Sequence, residues 1–351
     1  MEKNSAFTNT ESPWDNNDNP IWLATTLRVN RNIEKYNFPN KLAVDKRKQI
    51  VSLISKDLLQ ESLLKNPTLF KSEDLPPIEK EYLYEHHLSP RSFHEAQSGE
   101  GFIIDDSGKF LATINLFDHV QLQLTDTSGE IENSWNTLSQ IESNLGKKLN
   151  YSFSPKFGYL TSNSTECGTA FIASMFLHVP SLIHTGKLKE YLDKHHDDAI
   201  SITGIQGKPN ELIGDIVSIH NNYILGLSEE NIIASLRSFS AKLVVDEQSI
   251  RKDTHLQNNT LKDKVSRAYG ILIHSYQIGT IEAFNAISLL KLGTELGWIE
   301  GSTIQALNKL LFNIRRAHLV THFEENISQD EINHKRAEFI HRYLKDTKLH
   351  V

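Results

Sequence analysis

Apolar positions along this chain follow two periods, and the change from one to the other divides it. Between residues 44 and 64, Ile50, Leu53, Ile54, Leu58 and Leu59 recur at helical spacing and predict a helix. Pro76-Pro77 breaks the chain and opens a short helix over 78–87. From Gly101 the period drops to two. Residues 102–104 and 110–114 read as a hairpin across the Gly-containing turn 105–108, and 120–124 alternates strictly as a half-buried strand. An amphipathic helix follows over 130–145, with Ile131, Trp135, Leu138, Ile141 and Leu145 on one side. A helix is expected from about Thr169 and another over 182–192, after a break at Pro180. Residues 199–205 alternate again, and 213–220 is expected to pair with 223–225 as further sheet. Ser228 with Glu229-Glu230 has the form of a helix start and opens a helix to about 253. Beyond Leu261 every segment reads as helix (261–276, 280–296, 302–317, 329–345), with Gly297 and Gly301 as stops. The predicted organisation is a flexible polar lead over 1–20, with Trp14 pinned to the body, an α/β body over 21–255, and an all-helical C-terminal domain over 256–351. Leu289, Leu292, Leu296, Leu310, Leu311 and Ile314 form apolar stripes in the last region that fit a bundle core or an interface.

Composition narrows the class of protein. A chain of 351 residues exceeds the usual single core, which agrees with two domains. Hydrophobic residues at 38% and charged residues at 23% describe an ordinary soluble protein, and the net charge of −7 argues against nucleic acid as the main partner. The single cysteine, Cys167, excludes an internal disulfide and a cysteine-rich zinc site, and reads as a small buried hydrophobe. No secretory h-region and no membrane-length apolar run occurs, so the expected place is the cytoplasm, with no membrane contact. Metal candidates are weak. His318 and His322 lie four apart without the glutamate of a His-Glu-x-x-His pair, and His195-His196-Asp197-Asp198 reads as a polar loop. No metal site is expected. Residues 204–208 lack the spacing of a phosphate loop.

The stretch Gly158-Tyr159-Leu160-Thr161-Ser162-Asn163-Ser164-Thr165-Glu166-Cys167-Gly168-Thr169 has the outline of a substrate loop. Together with Asn115-Leu116-Phe117-Asp118-His119, Glu85-His86-His87-Leu88-Ser89-Pro90 and Leu225-Gly226-Leu227-Ser228-Glu229-Glu230, it resembles the ATP:guanido phosphotransferases, in particular the bacterial protein-arginine kinases. The likeness runs from about residue 23 to 344. It implies an α+β fold, a phosphagen-kinase-like large antiparallel sheet flanked by helices, plus the helical C-terminal domain. ATP and a guanidinium would meet in the cleft.

The resemblance also implies where the chemistry should be, and there the chain departs from the family. Phosphoryl transfer depends on positioning and charge neutralisation, which the family supplies with five arginines around the nucleotide phosphates. Those positions carry Thr26, Arg28, Gln121, Ile172 and Thr203 here, so Arg28 alone remains, with His119 as a second remnant of the nucleotide site. At ~1.5–3 kcal/mol per charge-assisted contact, four losses remove ~6–12 kcal/mol before non-additivity. The catalytic carboxylate positions carry Leu116, Phe117 and Lys208, and the cysteine that supports the guanidinium is Asn163. Asn115, Asp118, His119, Gly168, Thr169 and Gly204, which shape loops, are kept. Of the phosphoarginine-reading motif near the C-terminus, Arg336 remains, where it and its neighbours Lys335 and Arg342 could hold an anion or form a solvated basic face.

Three readings follow. The first and favoured one is a pseudokinase that acts by binding, as a homodimer through its helical domain or with an active arginine kinase, its zinc-finger activator or a Clp-type unfoldase, and without a cofactor. The second is a phosphotransferase with a rebuilt site that uses Mg-ATP through Arg28, Arg31 and His119. The third is a sensor whose cleft, lined by Leu116, Phe117 and Ile172, takes a neutral apolar molecule.

Overall fold

The computed structural model describes residues 7, 10–254, 259–323, 327–328 and 330–350. Its centre is an eight-stranded antiparallel sheet in the order β2-β3-β4-β5-β1-β8-β10-β9. The strands are β1 (Trp22–Arg31), β2 (Thr68–Lys71), β3 (Gly101–Ile104), β4 (Phe110–Ile114), β5 (Val120–Asp126), β8 (Phe171–His178), β9 (Ile200–Gly204) and β10 (Ile216–Asn221). A two-residue hairpin, β6 (Phe153–Ser154) with β7 (Gly158–Tyr159), stands outside the sheet. The helices of this half are α1 (Val44–Leu58), α2 (Pro77–His86), α3 (Ile131–Gly146), α4 (Pro180–His184), α5 (Lys187–Lys194) and α6 (Glu229–Thr254).

Strand alternation sorts the sheet into two faces. Leu27, Val29, Leu122, Ala173 and Met175 point to one side, where Ile50 and Ile54 of α1, Leu138 and Ile141 of α3 and Leu236 and Leu243 of α6 complete a single core. The intervening residues Thr26, Arg28, Asn30, Ile172 and Ser174 point to the other side and line a cavity. The helical spacing of α1, α3 and α6 supplies the stripe that covers the first face. On α6, Ser228 Oγ accepts from the Asn231 amide at 3.2 Å, which satisfies one of the free donors at the helix start.

The remaining helices are α7 (Asn259–His274), α8 (Thr280–Glu295), α9 (Ile304–Asn313), α10 (Arg316–Phe323) and α11 (Ile332–Tyr343), with a short strand pair β11 (Ile299–Glu300) and β12 (Lys348–Leu349). They enclose a second core that includes Leu292, Leu296, Leu310, Leu311 and Ile314, so these apolar stripes are interior to the protomer. Among the described residues no helix is long and apolar enough to cross a membrane.

Several sequence expectations are corrected. The segment from Thr169 is a strand. Phe171, Ala173, Met175 and Leu177 are buried against the helices while alternate residues face the cavity, and pairing with both β1 and β10 accounts for an apolar run that fits either period. Residues 223–225 form no strand. Only Ile224 is buried there, and Gly226 turns the chain with φ +82°. The helix expected over 182–192 is two short helices separated by Gly186 at φ +74°, and that expected over 302–317 breaks between α9 and α10. The polar lead, from residue 10 onward, is packed. Trp14 is 1% exposed and stacks on Phe312 of α9 with ring centroids 3.5 Å apart, so it anchors to the helical region. The expected boundary at 255 falls outside the described residues.

Candidate functional site

One cavity, of about 870 Å³, opens on the polar face of the sheet. Its floor comes from β1 (Thr26, Arg28, Asn30), β5 (Gln121), β8 (Ile172, Ser174, Phe176), β9 (Thr203) and β10 (Ser218, His220). Its rim comes from three loops, which carry Ser89 to Arg91, Asn115 to Asp118, and Ser162 to Glu166. Each of these side chains is where period-2 alternation or a loop tip puts it.

The loops are tied by the residues that the sequence keeps. Asn115 has φ +63°, and its Nδ2 donates to the carbonyls of Arg47 and Gly99, both at 2.9 Å. Asp118 Oδ1 accepts from Asn32 Nδ2 at 2.6 Å and from the Ser162 amide at 2.7 Å, which joins two rim loops to the end of β1. Gly158 and Gly168 approach each other so closely that a Cβ on Gly158, whose φ is +70°, would lie 2.4 Å from the Gly168 oxygen.

Besides Asp118, the charges in the cavity form three sets. Arg47 is paired with Glu100 at 3.0 Å. Glu166 accepts from Asn30 Nδ2 at 2.9 Å and from Asn163 Nδ2 at 3.0 Å, and lies 3.9 Å from Arg91, whose guanidinium also sits 4.5 Å from the centre of the Phe117 ring. Arg28 stands alone, with no side-chain hydrogen bond or ion pair to any described residue. Burial lowers its pKa to about 10, against the opposing pull of Glu166, and it stays cationic at neutral pH. Burial, and the nearby Arg28 charge, also lower the pKa of His220, so this ring is neutral at pH 7.

Compared with known proteins, residues 49–250 match the description "ATP:guanido phosphotransferase, C-terminal catalytic domain". The chain belongs to the ATP:guanido phosphotransferase family. Residues 258–350 match the protein-arginine kinase McsB C-terminal domain. Among relatives named protein-arginine kinase, that of Halothermothrix orenii is 31% identical over 324 residues, covering 91% of this chain and 92% of the relative. That of Chlamydia pneumoniae is 32% identical over 335 residues, covering 93% and 92%. Among solved structures, lombricine kinase superposes with a TM-score of 0.58 at 18% identity, over 66% of this chain and 68% of its own. The duplicated taurocyamine kinase of Schistosoma mansoni superposes with a TM-score of 0.60 at 21% identity, over 75% and 39%. These structures show the phosphagen-kinase fold.

Within this family member, Thr26, Arg28, Gln121, Ile172 and Thr203 all line the one cavity, as do Leu116, Phe117 and Asn163. Lys208 does not. It follows the lining segment 203–207 and pairs with Glu211 at 2.9 Å. His119, expected beside the nucleotide, is also outside the lining. Its Nδ1 accepts from the Ile33 amide at 2.9 Å and its Nε2 meets the Asn37 oxygen at 3.0 Å, so both ring nitrogens hold backbone. Arg31, expected to help with phosphates, is buried. Its Nε donates to Glu142 at 2.7 Å, and its guanidinium lies 3.5 Å from the Tyr159 ring centre. Arg336 is not part of a solvated basic face. It is 1% exposed and donates to the carbonyls of Ile314 and Ile278, both at 2.8 Å. Cys167 is half-buried, with Sγ 3.5 Å from Thr161 Oγ1. His318 meets Glu85 through Nδ1 at 3.0 Å while His322 packs on Phe339, so the two rings serve different contacts.

Sequence reasoning missed Asn30, Arg47, Arg91, Glu166 and His220. Asn30 and Glu166 carried a usable signal, since Asn30 follows Arg28 by one strand period and Glu166 lies inside the substrate-loop stretch. Arg91 directly follows the Ser89-Pro90 match. Arg47 is on α1 and carried none.

Proposed function

We propose that this member of the ATP:guanido phosphotransferase family has lost phosphoryl transfer and works as a pseudokinase, by binding. The observation that carries the reading is the lining of the cavity. Four positions that the family resemblance assigns to nucleotide-gripping arginines bear Thr26, Gln121, Ile172 and Thr203, and Arg28 is the one unpaired cation among the described lining residues. The other two guanidiniums, Arg47 and Arg91, lie against Glu100 and Glu166. A triphosphate would enter a site whose charges are mostly cancelled, and where Asp118 and Glu166 repel it. Leu116 and Phe117 cannot take a proton from a guanidinium.

The relatives' names and the family resemblance suggest what such a protein would bind: an active protein-arginine kinase, its zinc-finger activator, or a Clp-type unfoldase of cytoplasmic protein quality control. Homodimerisation through the helical domain belongs to the same proposal. It would use surface residues such as Tyr276 and Ile281, because the inner stripes are occupied.

Arg47 and Arg91 favour a second reading, a phosphotransferase rebuilt around new cations. One experiment decides between them. Purified protein is heated with and without millimolar Mg-ATP, and incubated with Mg-ATP and an arginine-rich model protein. The pseudokinase reading expects no thermal stabilisation and no phosphoarginine. Phosphoarginine formation that disappears in Arg28→Gln would establish the rebuilt enzyme instead.

A further inference from the structure

The cavity retains more hydrogen-bonding capacity than charge. The side chains of Thr26, Gln121, Ser174, Thr203 and Ser218 line it, and none of them makes a hydrogen bond to a described residue. They lie on neighbouring strands of one sheet face. Thr26 is directly opposite Ser174, and Ser218 opposite Thr203. Arg28 rises from the same face, two residues along β1 from Thr26. Arg28 is half-buried, and its guanidinium and these hydroxyls open onto the cavity with their hydrogen-bonding capacity unused by the described residues. A ligand that carries both an anionic group and hydroxyls can pair with both.

We propose that the cleft binds a small polyhydroxylated carboxylate, a hydroxy acid, with its carboxylate on Arg28 and its hydroxyls on the neutral side chains of the sheet floor. The inference rests on the loss of nucleotide binding argued above and names the ligand class that replaces it. The charge inventory selects a monoanion. Arg47 is paired with Glu100 and Arg91 lies between Glu166 and the Phe117 ring, so Arg28 is the one guanidinium of the described lining without an ion pair, while Asp118 brings the formal charge of that lining to zero and opposes any second negative charge. A planar guanidinium fork matches a carboxylate through two parallel hydrogen bonds. A phosphate monoester would bring nearly two charges at neutral pH, and Glu166 and Asp118 would oppose the second. The volume of about 870 Å³ suits a small molecule, and the polar floor disfavours the neutral apolar ligand that Leu116, Phe117 and Ile172 suggested in sequence. Those three side chains would flank the ligand rather than fill the cleft.

The test uses the full chain in calorimetric titration and thermal-shift measurements at low ionic strength, with gluconate, sorbitol, inorganic phosphate and Mg-ATP as probes. Gluconate is expected to bind and stabilise at millimolar concentration, whereas sorbitol, with similar hydroxyls and no charge, is not. Arg28→Gln is expected to weaken gluconate roughly tenfold or more while its circular dichroism stays unchanged. Thr26→Val, which removes one hydroxyl and leaves the charge in place, is expected to weaken it by less. The proposal is overturned if gluconate gives no response, if sorbitol matches it, if phosphate exceeds it, or if Arg28→Gln binds it undiminished. Stabilisation by Mg-ATP would instead overturn the pseudokinase reading, so the two failures are separate results.

Discussion

A guanidinium can face a cleft, or it can turn inward and cap carbonyls, and this chain places its arginines both ways. Arg336 is of the second kind. With its Nε on Ile314 and one Nη on both Ile278 and Asn333, it joins α11 to the end of α9 and to the turn before α8. Burial lowers its pKa to about 10, so it is cationic at neutral pH. Arg336→Ala would leave buried carbonyls without donors, and the expected loss is about 2–4 kcal/mol in urea unfolding. A loss below about 0.5 kcal/mol is what a solvated surface residue would give and would refute this role. Arg28 caps no carbonyl of a described residue, and the difference is one of place. Arg28 is on a strand face that borders an open cleft, whereas Arg336 is on a helix face that other helices cover.

Two elements make the sharpest predictions. The close approach of Gly158 to Gly168 holds the loop that carries Asn163 and Glu166. Gly158→Ala would combine a strained positive φ with a backbone clash. A destabilisation of at least about 1 kcal/mol is expected, visible as a lowered urea midpoint. A neutral effect would show that this loop tolerates displacement.

The seam between α2 and α10 gathers His86, His87, Glu85 and His318, with Arg315 and Arg316 beside them. Burial, with the neighbouring positive groups, drives His86 and His318 from the ordinary 6.5 to about 3, and His87 is also pushed well down. The unfolded chain takes up these protons below about pH 6.5 and the folded chain refuses them, so their stabilisation is present above that pH and lost as pH falls toward 3. Glu85 acts oppositely. Burial raises it from 4.5 to about 7, so its contribution is full below 4.5 and lost as pH rises through 7. Three histidines outweigh one carboxyl. Stability should therefore fall on acidification from pH 7.5 to 5.5, by roughly 1.4 kcal/mol per pH unit for each net proton once the titration is under way. A urea midpoint unchanged over that interval would refute the balance.

At the scale of the whole molecule, the sheet and the helical region are joined on several sides. His178 at the end of β8 meets Ser288 of α8 at 2.8 Å, and Ser288 donates to Asp215 at 2.5 Å. Glu247 of α6 accepts from the Ser181 and Leu182 amides while holding Arg251. Trp14 adds a contact from the N-terminal side, against Phe312. Trp14→Ala should cost about 3–5 kcal/mol, read as a lower melting temperature in calorimetry. If the melting temperature is unchanged, the lead is not part of the folded unit.

Local pattern was enough to read much of this protein. Alternation along β1 puts Leu27 and Val29 in the core and Thr26, Arg28 and Asn30 on the opposite face, and it does so whatever the neighbours are. Helical spacing marks α1, α3 and α6 in the same way, and the family resemblance, carried over residue by residue, puts Thr26, Gln121, Ile172 and Thr203 where it expects arginines. Tertiary pairing decided the rest. The run after Thr169 is apolar enough for either period, and it becomes a strand because β1 and β10 bond to both of its edges. Arg47 and Arg91 enter the cleft from separate parts of the chain, and each meets its carboxylate only after folding. Periodicity is a property of neighbours along the chain, whereas an ion pair depends on which distant segments share a surface. The sequence therefore determined which residue types stand at the positions that the family resemblance assigns to charged groups. Only the folded structure decided that, among the lining residues described, Arg28 is the cation left without a partner.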